Sequence, residues 1–115
     1  MAADRIFSEV GARKVVSLNR EDDITMDESM VVLQIGLLEA ASTVYLPEVL
    51  KAAGRIYTLM QGTVSNSTVS RCATDTCYIF DGADKDTSFT WVSGTVVLYS
   101  DGYRWYVIYS DSITW

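Results

Sequence analysis

An all-β fold, a small antiparallel sandwich or barrel-like domain with an extended N-terminal arm, is predicted by three features of this 115-residue chain. Residues 94–109 read as a β-hairpin, because two runs rich in β-branched and aromatic residues flank Asp101-Gly102, a pair that accepts the positive φ angles of a tight turn. Short apolar runs recur from Met30 onward with turn residues between them, the spacing of an all-β domain. Only residues 48–53 have helical character, amounting to one or two turns closed by Gly54.

Taken in order, residues 1–28 hold much of the charge, with only the short apolar pieces Ile6-Phe7, Val15-Val16 and Leu18 between. That is too little apolar area for a core. The segment reads either as a disordered tail or as an arm that docks on another protein, with Ile6, Phe7 and Val15 as apolar anchors and Arg13 and Lys14 as charged contacts. Residues 17–23 form a polar loop, and residues 29–115 form the β-structured body.

Within the body, residues 30–35 are a continuous apolar run and read as a buried strand. Residues 43–46 are the next strand, stopped by Pro47, which has no N–H for the ladder. Residues 55–60 alternate as a strand. Residues 63–70 are rich in Ser and Thr and suit two short strands about a turn at Ser65-Asn66-Ser67. Residues 76–80 are a buried strand, followed by an Asp81-Gly82 turn, a polar loop at 83–86 and a strand at 87–92.

If Asp101 and Gly102 are the two turn residues of the final hairpin, Leu98 pairs with Trp105, Val97 with Tyr106 and Val96 with Val107. One face then carries Val96, Leu98, Trp105 and Val107; the other carries Val97, Tyr99, Tyr106 and Ile108 and is almost as apolar. Both faces need cover, either from a partner subunit or from the chain's own second sheet. Val97, Tyr99, Trp105, Tyr106 and Ile108 are therefore candidates for a subunit interface or a core.

The totals exclude several functions. A formal net charge of -6 argues against a nucleic-acid partner, since no Lys/Arg cluster exists to displace counterions from phosphates. No run approaches the roughly 20 apolar residues that span a bilayer, so no membrane partner is expected. The absence of histidine removes the commonest general base and metal ligand. Cys72 and Cys77 alone cannot complete a zinc site, and free, partly buried thiols are expected. Asp81 and Asp101 precede glycine in turns, and Asp84 and Asp86 share a loop with Lys85, so neither paired catalytic carboxylates nor a calcium site is expected. No enzyme activity, cofactor or metal is expected. The aromatics Tyr99, Tyr103, Tyr109 and Trp115 are open to a second reading as platforms for sugar rings.

From Val32 to Ile108, four blocks occur in a recognisable order: Thr43-Val44-Tyr45-Leu46-Pro47; Gly54-Arg55-Ile56-Tyr57-Thr58-Leu59; Phe80-Asp81-Gly82-Ala83; and Val96 to Ile108, which contains Ser100-Asp101-Gly102-Tyr103-Arg104-Trp105-Tyr106-Val107-Ile108. This series resembles a β-module of tailed bacteriophages, found at the ends of tail fibres and spikes and in small capsid-surface proteins. The resemblance implies a homotrimer built into a virion, and the N-terminus, Met1 to Arg5 followed by mixed charge, lacks the apolar run of a secretory signal, so assembly in the host bacterial cytoplasm is expected. Because the sequence has neither heptads nor repeats to form a shaft, it points to a capsid decoration or cement protein bound to the major capsid protein. The alternative is a tail-fibre or head-fibre tip that binds a host-surface glycan.

Overall fold

Inward-facing apolar residues at every second position of short strands, the first six of which pair with second neighbours and not with the next strand in the chain, give this chain its architecture. The computed structural model describes residues 15–18, 23–29, 31–35, 43–61 and 66–115. Among these residues ten strands are formed: β1 (Val15–Leu18), β2 (Ile24–Thr25), β3 (Val32–Ile35), β4 (Thr43–Tyr45), β5 (Ile56–Gln61), β6 (Ser67–Ser70), β7 (Ile79–Asp81), β8 (Asp84–Asp86), β9 (Ser88–Ser100) and β10 (Trp105–Thr114). The class is all-β, with no helix among the described residues.

The first six strands alternate between two parallel stacks. Strands β1, β3 and β5 pair in parallel in that order, and β2, β4 and β6 do the same. Three successive coils of chain thus each lay one strand on either stack. β9 closes both, running antiparallel to β6 through Ser88–Trp91 and to β5 through Gly94–Tyr99. β10 pairs with β9 from Thr90 to Ser100, and β7 and β8 extend the sheet beyond the start of β10. The sheet is therefore mixed where an antiparallel one was expected, because six short strands pair in parallel with their second neighbours in the chain.

Lines of buried side chains run across each stack. Ile24, Val44, Val69 and Phe89 are successive cross-strand partners in one, and Leu33, Leu59 and Val96 in the other; all are buried. With Met26, Leu46, Tyr57, Ile79, Trp91, Leu98 and Trp105 they form one core. β9 serves both stacks because it turns a corner at Gly94, whose φ is +77°. Its inward residues are Phe89 and Trp91 before the corner, and Val96, Leu98 and Ser100 after it, so the bend resets the alternation from odd to even positions. The corner is locked on both sides: Trp91 Nε1 donates to the Gly94 carbonyl at 3.1 Å, and Asp111 accepts the Thr95 N–H at 2.8 Å.

Four expectations require correction. Residue 28 does not separate arm from body, because β1 and β2 belong to the stacks and Ile24 and Met26 are core residues; mixed charge between short apolar pieces conceals two strands. Residues 48–53 make consecutive turns, not a helix. Ala52 N–H reaches Glu48 O at 3.1 Å, but Ala53 and Arg55 close tighter three-residue turns, while the Asp75 carboxylate takes the Val49 N–H at 2.9 Å. The polar residues 84–86 form strand β8, paired with β7 about a two-residue Gly82-Ala83 turn.

The fourth correction concerns the register of the β9–β10 hairpin. Ser100 pairs with Trp105, Tyr99 with Tyr106 and Leu98 with Val107, so the loop has four residues, Asp101 to Arg104. The shift is an even number of positions, and the two faces keep the residues expected of them as far as Val107. There a bulge leaves Ile108 without a partner and sets Tyr109 opposite Val97. The expected turn between residues 65 and 67 is only partly described: Asn66 has a φ of +51° and Ser67 opens β6.

Candidate functional site

The loop after β9 is built by one carboxylate. Asp101 Oδ1 accepts the backbone N–H groups of Tyr103 and Arg104, each at 2.8 Å, and Oδ2 accepts the Tyr106 hydroxyl at 3.2 Å. Gly102 is buried at φ +94°, and any Cβ there would approach the Ala53 Cβ to 3.2 Å. Ser100, fully buried, donates its hydroxyl to Val49 O at 2.8 Å and accepts the Gly102 N–H at 3.1 Å. The hairpin end is thereby fastened to the turns at 48–54, and Tyr103 is held outward with 81% of its surface exposed.

Burial is the largest influence on the Asp101 carboxyl and would raise its pKa, but the N–H groups of Tyr103 and Arg104, the Tyr106 hydroxyl and the Arg104 charge together hold it below the ordinary value. A carboxyl held lower in the folded chain contributes its stability above the unfolded pKa of about 3.9 and loses it as pH falls through the folded pKa. Asp101→Asn should therefore lower the urea midpoint at neutral pH, and the gap from the parent should shrink between about pH 5 and pH 2. A gap that stays constant with pH would mean that the charge of Asp101 has no part in holding the loop.

Successive strands set one row of side chains across the outer face. Ile56 pairs with Tyr99, Tyr99 with Tyr106, Tyr106 with Phe80, and Phe80 with Lys85. The Tyr99 and Tyr106 rings stack at 6.4 Å, Phe80 lies 5.9 Å from Tyr106, and Tyr78 meets Phe80 edge-on at 6.3 Å. Beside this row Ile108 and Tyr109 stand exposed. The monomer leaves an aromatic stripe half-covered from β5 to β7.

At the β8 end the stripe opens into a groove of about 480 Å³ lined by Cys77, Tyr78, Phe80, Lys85, Tyr103 and Arg104. Lys85 Nζ lies 5.1 Å from the Tyr78 ring centre and 5.9 Å from that of Phe80; the Arg104 guanidinium lies 5.3 Å from Phe80. Neither cation has an ion-pair partner among the described residues. Burial, seconded by the nearby Asp75 charge, pushes the Cys77 thiol up, so it stays protonated at neutral pH and is a poor nucleophile. Cys72 and Cys77 are both free and half-buried.

Of the candidate interface or core residues, Trp105 is fully buried, Val97, Tyr99 and Tyr106 are half-buried on the outer side, and Ile108 is exposed at the bulge. Of the candidate anchors, Val15 begins β1, opposite Val32; Ile6, Phe7, Arg13 and Lys14 lie outside the described residues. No three acidic or cysteine side chains converge among the described residues. Sequence reasoning missed the groove because its two cations come from separate stretches. The available signal was alternation, which puts Lys85 on the same face as Phe80 once Asp81-Gly82-Ala83-Asp84 is read as a hairpin. No family model, curated protein or solved structure matches the chain.

Proposed function

We propose that this chain is a structural module of a tailed-phage virion, a trimeric capsid decoration protein whose subunits meet through the aromatic outer face of β5, β9 and β10. The observation that carries the reading is the half-covered stripe Ile56–Tyr99–Tyr106–Phe80, flanked by exposed Ile108 and Tyr109. A contiguous apolar patch of this kind marks an interaction surface, and symmetric self-association is the commonest way to cover one. The resemblance of the four sequence blocks to phage surface modules supplies the virion setting.

Light scattering at micromolar concentration is expected to give the trimer mass, and the double variant Ile56→Lys/Ile108→Lys, which changes two exposed side chains, a folded monomer. A monomeric parent protein would overturn the assembly reading. Negative-stain images of virions with and without the protein should differ by density over the head.

A second reading, the tip of a fibre or spike that binds a host-surface glycan, is favoured by two observations. Parallel coils stacked rung upon rung are the construction of a β-helical shaft, so the lack of sequence repeats does not count against a fibre. The groove also offers aromatic faces at the surface. Density at the tail tip, not over the head, would decide for this reading.

A further inference from the structure

We infer that the groove between the β7–β8 hairpin and the Asp101–Arg104 loop is a binding site for a carboxylated saccharide, an inference that rests on the glycan-binding reading above. The chain has only nine Lys and Arg against fifteen Asp and Glu. Two of those nine line one groove and lie against ring faces; neither is in an ion pair among the described residues, although the Asp101 charge acts on Arg104 and Asp84 and Asp86 flank Lys85 along β8. A cation against a ring keeps most of its capacity to donate hydrogen bonds, so Lys85 and Arg104 stand ready for an anionic ligand. Arg104 presents a planar fork that matches a carboxylate.

The remaining walls suit a sugar ring. Tyr103 is highly exposed, and the Asp101 carboxylate pins its backbone, so its ring is presented at the groove without ordering of the loop. Tyr78, 47% exposed, supplies a second aromatic surface. Apolar C–H faces of sugars pack on such rings while their hydroxyls stay wet, which suits an open groove. Its volume, about 480 Å³, falls within the usual range for small-molecule sites, about 300–1,000 Å³.

An acidic peptide fits less well. The natural peptide approach is strand addition to β8, the terminal strand on this side of the sheet. That edge carries Asp84 and Asp86, which would face incoming acidic side chains. Alternation puts Lys85 on the outer face with Phe80, and Asp84 and Asp86 on the other, so a sugar entering from outside reaches the cation without passing either acid.

The test is amide chemical-shift mapping on the full chain, titrated separately with trigalacturonic acid, its methyl ester and hexaglutamate. The acid is expected to shift amides at Tyr78, Phe80, Lys85, Tyr103 and Arg104, with a dissociation constant on the order of 1 mM. Lys85→Gln, Arg104→Gln and Tyr103→Ala should each weaken it about tenfold without changing the circular dichroism. If the ester binds the groove as tightly as the acid, the carboxylate inference is overturned while the glycan reading stands. If hexaglutamate binds there at least as tightly as the acid, the groove is a peptide site and both fall. If neither saccharide shifts these amides at about 10 mM, ten times the expected constant, both fall too.

Discussion

A chain beginning at Asp27 is expected to lose its cooperative unfolding transition near room temperature. It lacks β1 and β2, and with them Ile24 and Met26, only 6% and 2% exposed in the core. Emptying each of those positions costs about 2–5 kcal/mol, against a total stability of about 5–15 kcal/mol for a domain of this size. The truncation also strips β3 and β4 of one partner each. A chain beginning at Lys14 keeps every described residue and loses Ile6, Phe7 and Arg13. On the capsid-decoration reading proposed above, it should keep the circular dichroism of the parent but attach more weakly to capsids. An Asp27 chain that unfolds at the parent midpoint would mean that the first coil is an appendage.

The second large effect is expected at the two buried indoles. Trp105→Ala and Trp91→Ala should each lower stability by about 3–5 kcal/mol, since both side chains are fully buried and leave large voids. Replacement by Phe should separate them. Trp105 Nε1 has no hydrogen-bond partner among the described residues, and its ring meets Tyr57 edge-on at 5.5 Å. Phe there removes an orphan donor whose burial costs about 1–3 kcal/mol, which offsets much of the lost volume. Trp91→Phe has no such compensation, because it removes the indole N–H that donates to the Gly94 carbonyl at the corner of β9. Urea midpoints should put Trp91→Phe below Trp105→Phe, and the opposite order would refute this account of the corner.

The all-β class was legible because short runs rich in β-branched and aromatic residues recur through the body between turn residues, and Asp101-Gly102 marks its last hairpin. The hairpin's register was not, because Asp101 could either enter a two-residue turn or bind the two N–H groups ahead of it. Nothing in the local sequence separates these choices. They are decided by Ser100 and Gly102 docking on Val49 and Ala53, about half the chain away. The parallel coils were hidden more deeply. Val15, Val32 and Thr58 lie on one line across the stack, but the intervals between them are unequal, so no period betrays the pairing. The aromatic stripe was partly visible, since Tyr99 and Tyr106 fall on one face of the hairpin in either register. Phe80 and Lys85 join it only through the parallel pairing of β7 with β10, which local patterning does not encode.

Closure of both stacks by a single late strand gives the order of folding a direction. The β9–β10 hairpin is the one large local pairing, and hairpins of this kind form quickly, whereas the parallel pairs must close long loops before any contact rewards them. β5 and β6 can add to β9 once it exists, β3 and β4 to them, and β1 and β2 last. Assembly is then expected to run from the C-terminal end of the chain toward the N-terminal end, against the direction in which a ribosome delivers it. The first coils made are the last to find their place, and until residues 88–100 emerge, the nascent chain holds its apolar segments without a template to pair on.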